Sequence, residues 1–501
     1  GTRVQAMTST DTVLPDTHVD HREVGGDLRC LHASPMYFLP NLGWILLGFA
    51  TMAVPSPSGA LLCLMALSLG WTASTVFVSG GPFLLPSSVM YLASSVFVGF
   101  ACYYLVVLGS TTELSSLRVT AMIVYVATVM IDLVRSAFIL RWGLTWPGPD
   151  RSRPRRFTGK PPRHFALKGV ALILISRAPQ LVVLNYELAN AVGMVGVLMV
   201  VMSGLALRNR VRWGGDLVLI LASLALPLFW TSLVFSGGGR LTVAGLAVAV
   251  AMIWNVVRPS RWFKVALLLA VPVAMLLGGM NRAQLIEEKY GVTDGTQLAK
   301  QGMYSVYDPL DRFATVVQEP DHPSGEKIGP RYGATFLNAL MMPIPRSMWE
   351  GKPIGFGAEV TALMAPSMVR LGQSFSTLAF GEWYANFGWF GVAAMPLAFG
   401  WVVALIDRRH AAIVNEEQTT IDSWWRMVVL VCLVASMGDL YWGGTFTFFT
   451  RGGMAALVAL MMWKFSTRRT SVTAAPSPVT PYRRRQTGAI PRTTSAAGGG
   501  R

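Results

Sequence analysis

Long runs of apolar residues recur along the chain, and they limit the folds open to it more than any other feature. A run of about 20 mostly apolar residues is long enough to cross a bilayer as a helix. Such runs lie near residues 36–55, 59–79, 88–109, 119–140, 166–184, 187–207, 214–235, 240–257, 262–280, 384–406, 425–443 and 446–464. Because lipid offers no hydrogen bonds to a free backbone, each run must form a helix. The sequence therefore predicts an all-α integral membrane protein with about twelve transmembrane helices.

Charged residues are few, and they lie mainly between the apolar runs. Only 14% of the 501 residues are charged, against about 25% in an ordinary soluble domain. The formal net charge of +16 fits nucleic-acid binding or a membrane protein with basic cytoplasmic loops. We favour the second reading, without a nucleic-acid partner, because Arg and Lys cluster in alternate loops at 141–168, 208–212, 258–264, 408–409 and 468–469. These loops then share one side with the N-terminus, which predicts a multi-pass protein of the cell membrane with both termini in the cytoplasm.

The predicted organisation has five parts. Residues 1–35 form a cytoplasmic N-terminal tail, residues 36–280 contain spans one to nine, and residues 281–375 form one large extracytoplasmic loop. Residues 376–464 contain spans ten to twelve, and residues 465–501 form a disordered, basic cytoplasmic tail. The first part contains no cleavable signal peptide, so we expect the first span to act as the targeting signal. Aromatic residues throughout the large loop indicate that it is ordered.

The cysteines and the standard catalytic motifs narrow the chemistry. The four cysteines are Cys30, Cys63, Cys102 and Cys432, and none lies in the large loop. Their positions predict neither a disulfide framework nor a zinc site built from cysteines. The sequence has no phosphate-binding loop of the Walker type, no HExxH motif and no GxSxG motif. We therefore expect neither a metal ion nor a cofactor.

Charged residues within spans are costly, and they are often functional for that reason. Arg177 lies well inside span five, where it either pairs with an acid, reaches the interface or binds a substrate. Asp132 and Arg135 are three residues apart and share a helix face, which favours a self-neutralising pair. Asp439 is a lone acid near the outer end of span eleven, and Arg451 opens the last span. A structural salt bridge between these two is as plausible as a catalytic role.

Cations also collect in the large loop and at one outer helix end. Arg331, Arg346 and Lys352 lie in PRYGATFLNALMMPIPRSMWEGKPIGFGAEV, where Pro and Gly limit the motion of the chain. Arg240 follows the glycine run SGGG at the outer end of span eight, where it either anchors the helix at the membrane edge or meets an anion. Arginine side chains of this kind suit the binding of phosphate oxygens.

One carboxylate lies at the mouth of span ten. The stretch STLAFGEWYANFGWFGV contains Glu382, followed by Tyr384 and Asn386 as secondary candidates. A carboxylate at the membrane edge, near cationic groups, suits the role of a general base. His322 and Asp308 are the competing bases, although His322 lies in the turn-like EPDHPSG and a solvated side chain is the simpler interpretation.

Several of these stretches resemble a known family. IPRSMWEGKP and the following STLAFGEWYANFGWFGV are similar to the Wzy-type O-antigen polymerases, which are bacterial oligosaccharide repeat-unit polymerases. In SGGGRLTVAGLAVAV, Arg240 stands at the start of a span. This resembles the arginine that begins a span in these polymerases and in the related O-antigen ligases. The resemblance covers roughly residues 170–460. It implies a membrane glycosyltransferase of surface polysaccharide biosynthesis.

The resemblance also implies a reaction and a set of roles. A growing glycan on undecaprenyl diphosphate is transferred to the next lipid-linked unit at the outer face of the membrane. Glu382 is then the base, assisted by Arg240 and Arg346 in catalysis. The cations that bind the substrate diphosphate are Arg177, Arg240, Arg331, Arg346, Lys352 and Arg451. Expected partners are the lipid-linked glycans, membrane lipid, a flippase and a chain-length regulator.

Three alternatives stay open at this point. An O-antigen ligase shares the donor and the cationic site, and transfers finished glycan to a different acceptor. A lipid or polysaccharide transporter without catalysis should have paired charges or broken helices near the middle of the membrane. A structural scaffold for a cell-envelope complex is the third alternative.

Overall fold

The structure is a computed structural model, and its described residues are almost entirely helical. They are residues 38–146, 156–157, 162–207, 218, 221–223, 225–226, 229, 240–291, 294–318, 330–342, 344, 348–349, 355–366, 374–416 and 418–472.

The helices up to residue 207 follow the apolar runs closely. They are α1 (Phe38–Ala50), α2 (Pro57–Val78), α3 (Pro86–Ser94), α4 (Ala101–Leu108), α5 (Leu114–Arg141), α6 (Pro162–Ser176), α7 (Pro179–Leu184) and α8 (Tyr186–Leu207). A π-helical turn at Ser95–Phe100 joins α3 and α4 into one rod. Proline begins α2, α3 and α7, where its missing N–H is one that no helix would pair.

The second group of helices begins at residue 240. It consists of α9 (Arg240–Val257), α10 (Arg261–Tyr290), α11 (Gly295–Gln318), α12 (Ala334–Leu340), α13 (Phe356–Met364), α14 (Leu378–Val414), α15 (Ile421–Ala435), α16 (Met437–Phe448) and α17 (Met454–Val472). A π-helical turn, Phe449–Gly453, connects α16 to α17. Two short strands, β1 (Arg156–Phe157) and β2 (Gln418–Thr419), pair in parallel.

Seven helical segments are long and apolar enough to cross a membrane. They are Pro57–Val78, Pro86–Leu108, Leu114–Arg141, Tyr186–Leu207, Arg261–Gln284, Leu378–Val414 and Met437–Ser466. Two shorter apolar helices lie at Phe38–Ala53 and Val243–Val257. The chain is therefore an all-α protein whose helices indicate a membrane-embedded molecule. The count of twelve spans stays a prediction, and most of the seventh predicted span, 214–235, lies outside the described residues.

One end of the bundle carries the turns that the sequence analysis predicts to be extracytoplasmic. The Arg118 guanidinium donates a hydrogen bond to the Val54 carbonyl oxygen at 3.0 Å, which joins the turns before α2 and α5. The Asp311 carboxylate of α11 accepts hydrogen bonds from the backbone N–H groups of Thr111 (2.9 Å) and Thr112 (3.2 Å). We call this end the loop-rich end.

The opposite end gathers the basic segments, and we call it the basic end. Lys264 donates a hydrogen bond to the Ser79 carbonyl oxygen. This bond joins the start of α10 to the turn after α2. The Asn415 side chain donates to the Thr145 carbonyl oxygen at 3.0 Å, next to the β1–β2 pair. The exposed arginines Arg408 and Arg409 also lie here. The sequence predicts that basic and non-basic turns alternate along the chain. In the structure, these two kinds of turn lie at opposite ends of one bundle.

The predicted large loop contains ordered helices and begins later than expected. Helix α10 continues to Tyr290, ten residues past the predicted end of span nine. Helix α11 follows with buried Leu310 and Phe313 and packs on α4, α5 and α14. Helices α12 and α13 follow, and α14 begins at Leu378, six residues before the predicted start of span ten. The aromatic and apolar side chains of this segment therefore pack onto the bundle.

Candidate functional site

Helices α6 and α15 are both shorter than the hydrocarbon core of a bilayer. Each has 15 residues, and at 1.5 Å per residue each is about 22 Å long, less than the roughly 30 Å of a bilayer core. Both start at the basic end, where the rings of Phe165 and Trp425 lie 5.0 Å apart. From these two rings, α6 ends eleven residues further on at Ser176, and α15 ends ten residues further on at Ala435.

Local chemistry explains both breaks. Pro179 lacks a backbone N–H, and Ala178 before it is extended, with ψ at 125°, as residues before proline usually are. Ser436 leaves the helical region with ψ at 6°, and the chain resumes as α16 at Met437. Arg177 and Asp439 are the charged residues next to these two breaks.

Arg177 presents a guanidinium that the protein leaves partly unpaired. Its Nε and Nη2 atoms are buried, and neither has a hydrogen-bond partner among the described residues. A buried N–H group without an acceptor is unfavourable, and more so when the group is charged. The arrangement suits an incoming anion with oxygen acceptors.

Asp439 and Arg451 form the ion pair that the sequence analysis offers as one option. The Arg451 Nη1 atom donates to the Asp439 Oδ1 atom, and Asp439 is buried. Glu187, near the start of α8, acts electrostatically on both groups. The Arg451 guanidinium therefore already has one bonded carboxylate, and Glu187 is a second acid in its surroundings.

Glu382 is almost fully buried beside a break in α16. Its Oε2 atom accepts a hydrogen bond from the Thr445 backbone N–H at 2.5 Å. Gly444, with φ at 76°, interrupts the helix there, so the N–H of Thr445 points out of the helix that follows. The other oxygen, Oε1, is buried and makes no hydrogen bond of normal geometry with the described residues, although the Thr335 hydroxyl acts on the same carboxyl. One oxygen is thus held by the N–H at the start of a helix, which favours negative charge on the carboxylate.

Asn386 organises the backbone around a second break. Gly388, with φ at 62°, folds α14 back sharply, so that Gly391 packs against the Trp383 backbone. The Asn386 Oδ1 atom accepts from the Gly333 N–H at 2.9 Å, and its Nδ2 atom donates to the Thr335 hydroxyl at 2.7 Å. Asn386 therefore positions the segment that covers Glu382.

The remaining described candidates have structural contacts. The Tyr384 ring packs against the rings of Phe313 and Trp389, at 6.5 and 5.3 Å. The Arg331 backbone N–H donates to the Ala385 carbonyl oxygen at 2.8 Å, and its guanidinium lies 3.5 Å from Glu359.

Asp308, the competing base, is paired with a cation. Its carboxylate accepts a hydrogen bond from Arg312 Nε at 3.0 Å. Burial raises the pKa of Asp308 from its ordinary value of 3.8 to about 6, and the positive charge of Arg312 opposes that rise. Asp308 lies on α11, away from Glu382 in sequence.

Four predicted residues are described incompletely or lie outside the described residues. Arg346, Lys352 and His322 belong to the second group. Arg240 begins α9, and its side chain is not described. Its backbone position is informative, because Gly245 packs directly against the Ala435 carbonyl at the end of α15. Arg240 precedes Gly245 by five residues, so it lies about 7 Å along α9 from the point where α9 contacts the end of α15.

We define the candidate polar layer as the charged residues next to the helix breaks together with Glu187, namely Arg177, Glu187, Glu382, Asp439 and Arg451. Of these, Asp439, Arg451 and Glu187 interact with one another. Sequence reasoning found four of these residues and missed Glu187. The missed signal was an acid in the first turn of an otherwise apolar span, in YELANAV. Among the described residues, no group of three or more His, Cys, Asp or Glu side chains is arranged to hold a metal ion.

The fold and the polar layer define a class: an all-helical membrane-embedded protein with broken helices around buried charges. No protein-family model, no curated protein and no solved structure matches the chain. The function is accordingly argued from the site.

Proposed function

We propose that this protein is a membrane glycosyltransferase that polymerises lipid-linked oligosaccharide repeat units for a bacterial surface polysaccharide. One observation carries the proposal: a buried carboxylate lies beside one helix break, and beside another lies a guanidinium whose buried Nε and Nη2 atoms have no hydrogen-bond partner among the described residues. The first, Glu382, suits a base, and the second, Arg177, suits an anionic leaving group.

The proposed location is the bacterial cytoplasmic membrane, with the loop-rich end outside. The basic end carries Arg141, Arg258, Arg261, Arg408 and Arg409. Cytoplasmic loops are enriched in Arg and Lys, so this end faces the cytoplasm, together with both termini. We infer that undecaprenyl-diphosphate-linked glycans reach the polar layer from the outer surface.

The proposed reaction is a single displacement at an anomeric carbon. A hydroxyl of the incoming lipid-linked unit attacks the anomeric carbon of the growing glycan, and the new C–O bond forms. The bond between that carbon and the diphosphate oxygen breaks, and undecaprenyl diphosphate leaves with the electron pair. The hydroxyl proton passes to the Oε1 atom of Glu382, which accepts no hydrogen bond of normal geometry from the described residues.

Charge development on the leaving diphosphate calls for cations, because no nucleotide or metal is invoked. Arg177 supplies unpaired N–H groups. Arg240 begins a helix that packs beside the end of α15, and Arg346 and Lys352 are further candidates from the large loop. Preorganised donors aimed at such a charge contribute factors of about 10²–10³ in rate each.

Chain growth by the purified protein tests this proposal. The protein is supplied with lipid-linked repeat units alone, without nucleotide or ion gradient, and glycan length is followed. We expect Glu382→Gln and Arg177→Ala each to slow growth at least about 100-fold. Glu359→Gln, another carboxylate of the loop-rich end, and Arg258→Ala, an exposed cation of the basic end, are the matched controls.

The outcomes separate the candidate activities. Unchanged growth in both site variants, with normal protein levels, removes the proposed site. Transfer of finished glycan to a second acceptor, without lengthening of lipid-linked units, indicates the ligase instead.

A transporter is the second candidate, and the broken helices favour it. Helix breaks at Arg177, Ser436 and Gly444 leave helix ends inside the bundle, as in many secondary transporters. Uptake of labelled lipid-linked glycan into proteoliposomes, with no change in glycan length, would support transport without catalysis.

A further inference from the structure

Helix α12 exposes an apolar surface next to the candidate site. Leu337 and Leu340 are 53% and 59% exposed, and Met348 just beyond the helix is 77% exposed. The sequence from Gly333 to Pro345, GATFLNALMMPIP, contains no charged residue. Such a surface in water would be unfavourable, since each large apolar side chain favours burial.

The orientation of α12 is fixed by its other side. Thr335, Asn338 and Ala339 are buried against the bundle. The Asn386 side chain donates to the Thr335 hydroxyl, and the Tyr332 backbone N–H donates to the Asn386 carbonyl oxygen at 3.1 Å. The exposed leucines are therefore held outward by the fold.

The apolar surface of α12 is continuous with the lipid-facing surface of α14. The Phe336 ring lies 5.2 Å from Trp383 and 6.0 Å from Phe387, both on the part of α14 before Gly388. The Trp383 ring in turn lies 6.0 Å from Phe399, eleven residues after that break. The folded-back part of α14 thus runs beside its long part, and α12 lies beside both.

The depth of α12 in the membrane follows from its packing against α14. On the long part of α14, Phe390 and Leu397 are highly exposed, as expected of side chains that face lipid. Trp383 and Phe387 lie alongside the same stretch, so α12 lies at the depth of a membrane-spanning helix. Arg331 and Arg346 flank the apolar segment in sequence, where cationic side chains can reach the interface.

We propose that α12, together with Met348 just beyond it, is inserted into the outer leaflet and contacts lipid acyl chains. The predicted loop therefore has a membrane-embedded part, which forms one wall beside Glu382. The occupant is lipid, because the surface joins that of a spanning helix and carries no charge.

Site-directed spin labelling in liposomes of phosphatidylethanolamine and phosphatidylglycerol tests the insertion. Labels are placed at Leu337→Cys and Leu340→Cys in a background with Cys30→Ser and Cys63→Ser, because Cys102 and Cys432 are fully buried. Leu277→Cys in the exposed face of α10 is the lipid control, and Gln297→Cys at the start of α11 is the water control.

We expect Leu337 and Leu340 to behave as Leu277 does, with high collision rates for oxygen and low rates for a water-soluble nickel complex. High nickel accessibility, as at Gln297, would overturn the proposal. Low accessibility to both reagents would also overturn it, by showing a protein partner or second copy on this face. The measurement does not require activity, so it is independent of the proposed reaction.

Discussion

At the scale of single residues, the bundle buries one ion-pair network apart from the candidate site. Arg135 donates from Nη1 to Asp132 at 2.9 Å and from Nε to Asp407 at 2.5 Å, and all three side chains are fully buried. Tyr91 and Asn41 donate hydrogen bonds to the same Asp132 carboxylate, at 2.5 and 3.0 Å. The predicted pair Asp132–Arg135 is confirmed, and the structure adds a second carboxylate from α14.

Removing the arginine of this network is expected to destabilise the fold strongly. Arg135→Leu leaves two carboxylates close together without their cation, at a cost of about 3–5 kcal/mol. The measurement is the thermal unfolding midpoint of the purified protein in detergent.

A more exposed arginine serves as the control. Arg426 also contacts two carboxylates, Glu416 at 2.6 Å and Asp422 at 3.3 Å, but its side chain is 33% exposed. Arg426→Leu should cost about 1 kcal/mol or less, because solvent screens the pair. Equal losses in the two variants would contradict the argument from burial.

At the scale of elements, two glycines permit the helix breaks that shape the site. Gly388 and Gly444 have φ angles of 62° and 76°, with ψ near −150° and −166°. This region of backbone space is open essentially to glycine alone. The two positions differ in their surroundings, because a Cβ atom at Gly388 meets open space and one at Gly444 meets the Glu382 carboxylate.

Alanine at the two glycines should therefore separate backbone strain from site geometry. We expect Gly388→Ala and Gly444→Ala each to lose about 1–3 kcal/mol of stability, because both strain the backbone. Only Gly444→Ala should also displace Glu382 and abolish chain growth. Unfolding midpoints and glycan length are the two readouts.

Gly43→Ala is the control for these variants, since Gly43 lies within helix α1 with open space around it. It should be neutral or slightly stabilising. Full chain growth in Gly444→Ala would show that the break does not set the position of the carboxylate.

At the scale of the whole molecule, the arrangement of its two ends determines its orientation. The turn at 109–113 and the helix α11 meet at the loop-rich end, and Arg408 and Arg409 lie at the basic end. Since basic residues are retained on the cytoplasmic side, one orientation is favoured.

Cysteine labelling in whole cells checks this orientation. In a background with Cys30→Ser and Cys63→Ser, we expect Glu113→Cys to react with a membrane-impermeant maleimide in intact cells. Arg409→Cys should react only after the membrane is permeabilised. Both residues are exposed, so access to them depends on the side of the membrane. The reverse pattern would place the polar layer on the cytoplasmic side and end the proposal of an extracytoplasmic reaction.

The sequence alone determined which segments are helical and apolar. In lipid, backbone groups pair within their own segment, so a local run of residues is enough to specify a helix. The runs at 59–79, 88–109 and 187–207 agree with the observed helices within about three residues. The pair Asp132–Arg135 could also be predicted from the sequence, because a spacing of three residues places both on one helix face.

The tertiary structure alone decided which charges meet and where helices break off. Asp407 lies 272 residues from Arg135, and Thr445 lies 63 residues from Glu382, so no local pattern could pair them. Helix α15 packs on α9, which lies far from it in sequence. Such contacts depend on the way whole helices pack in three dimensions, and the physical information for them is spread over the entire bundle.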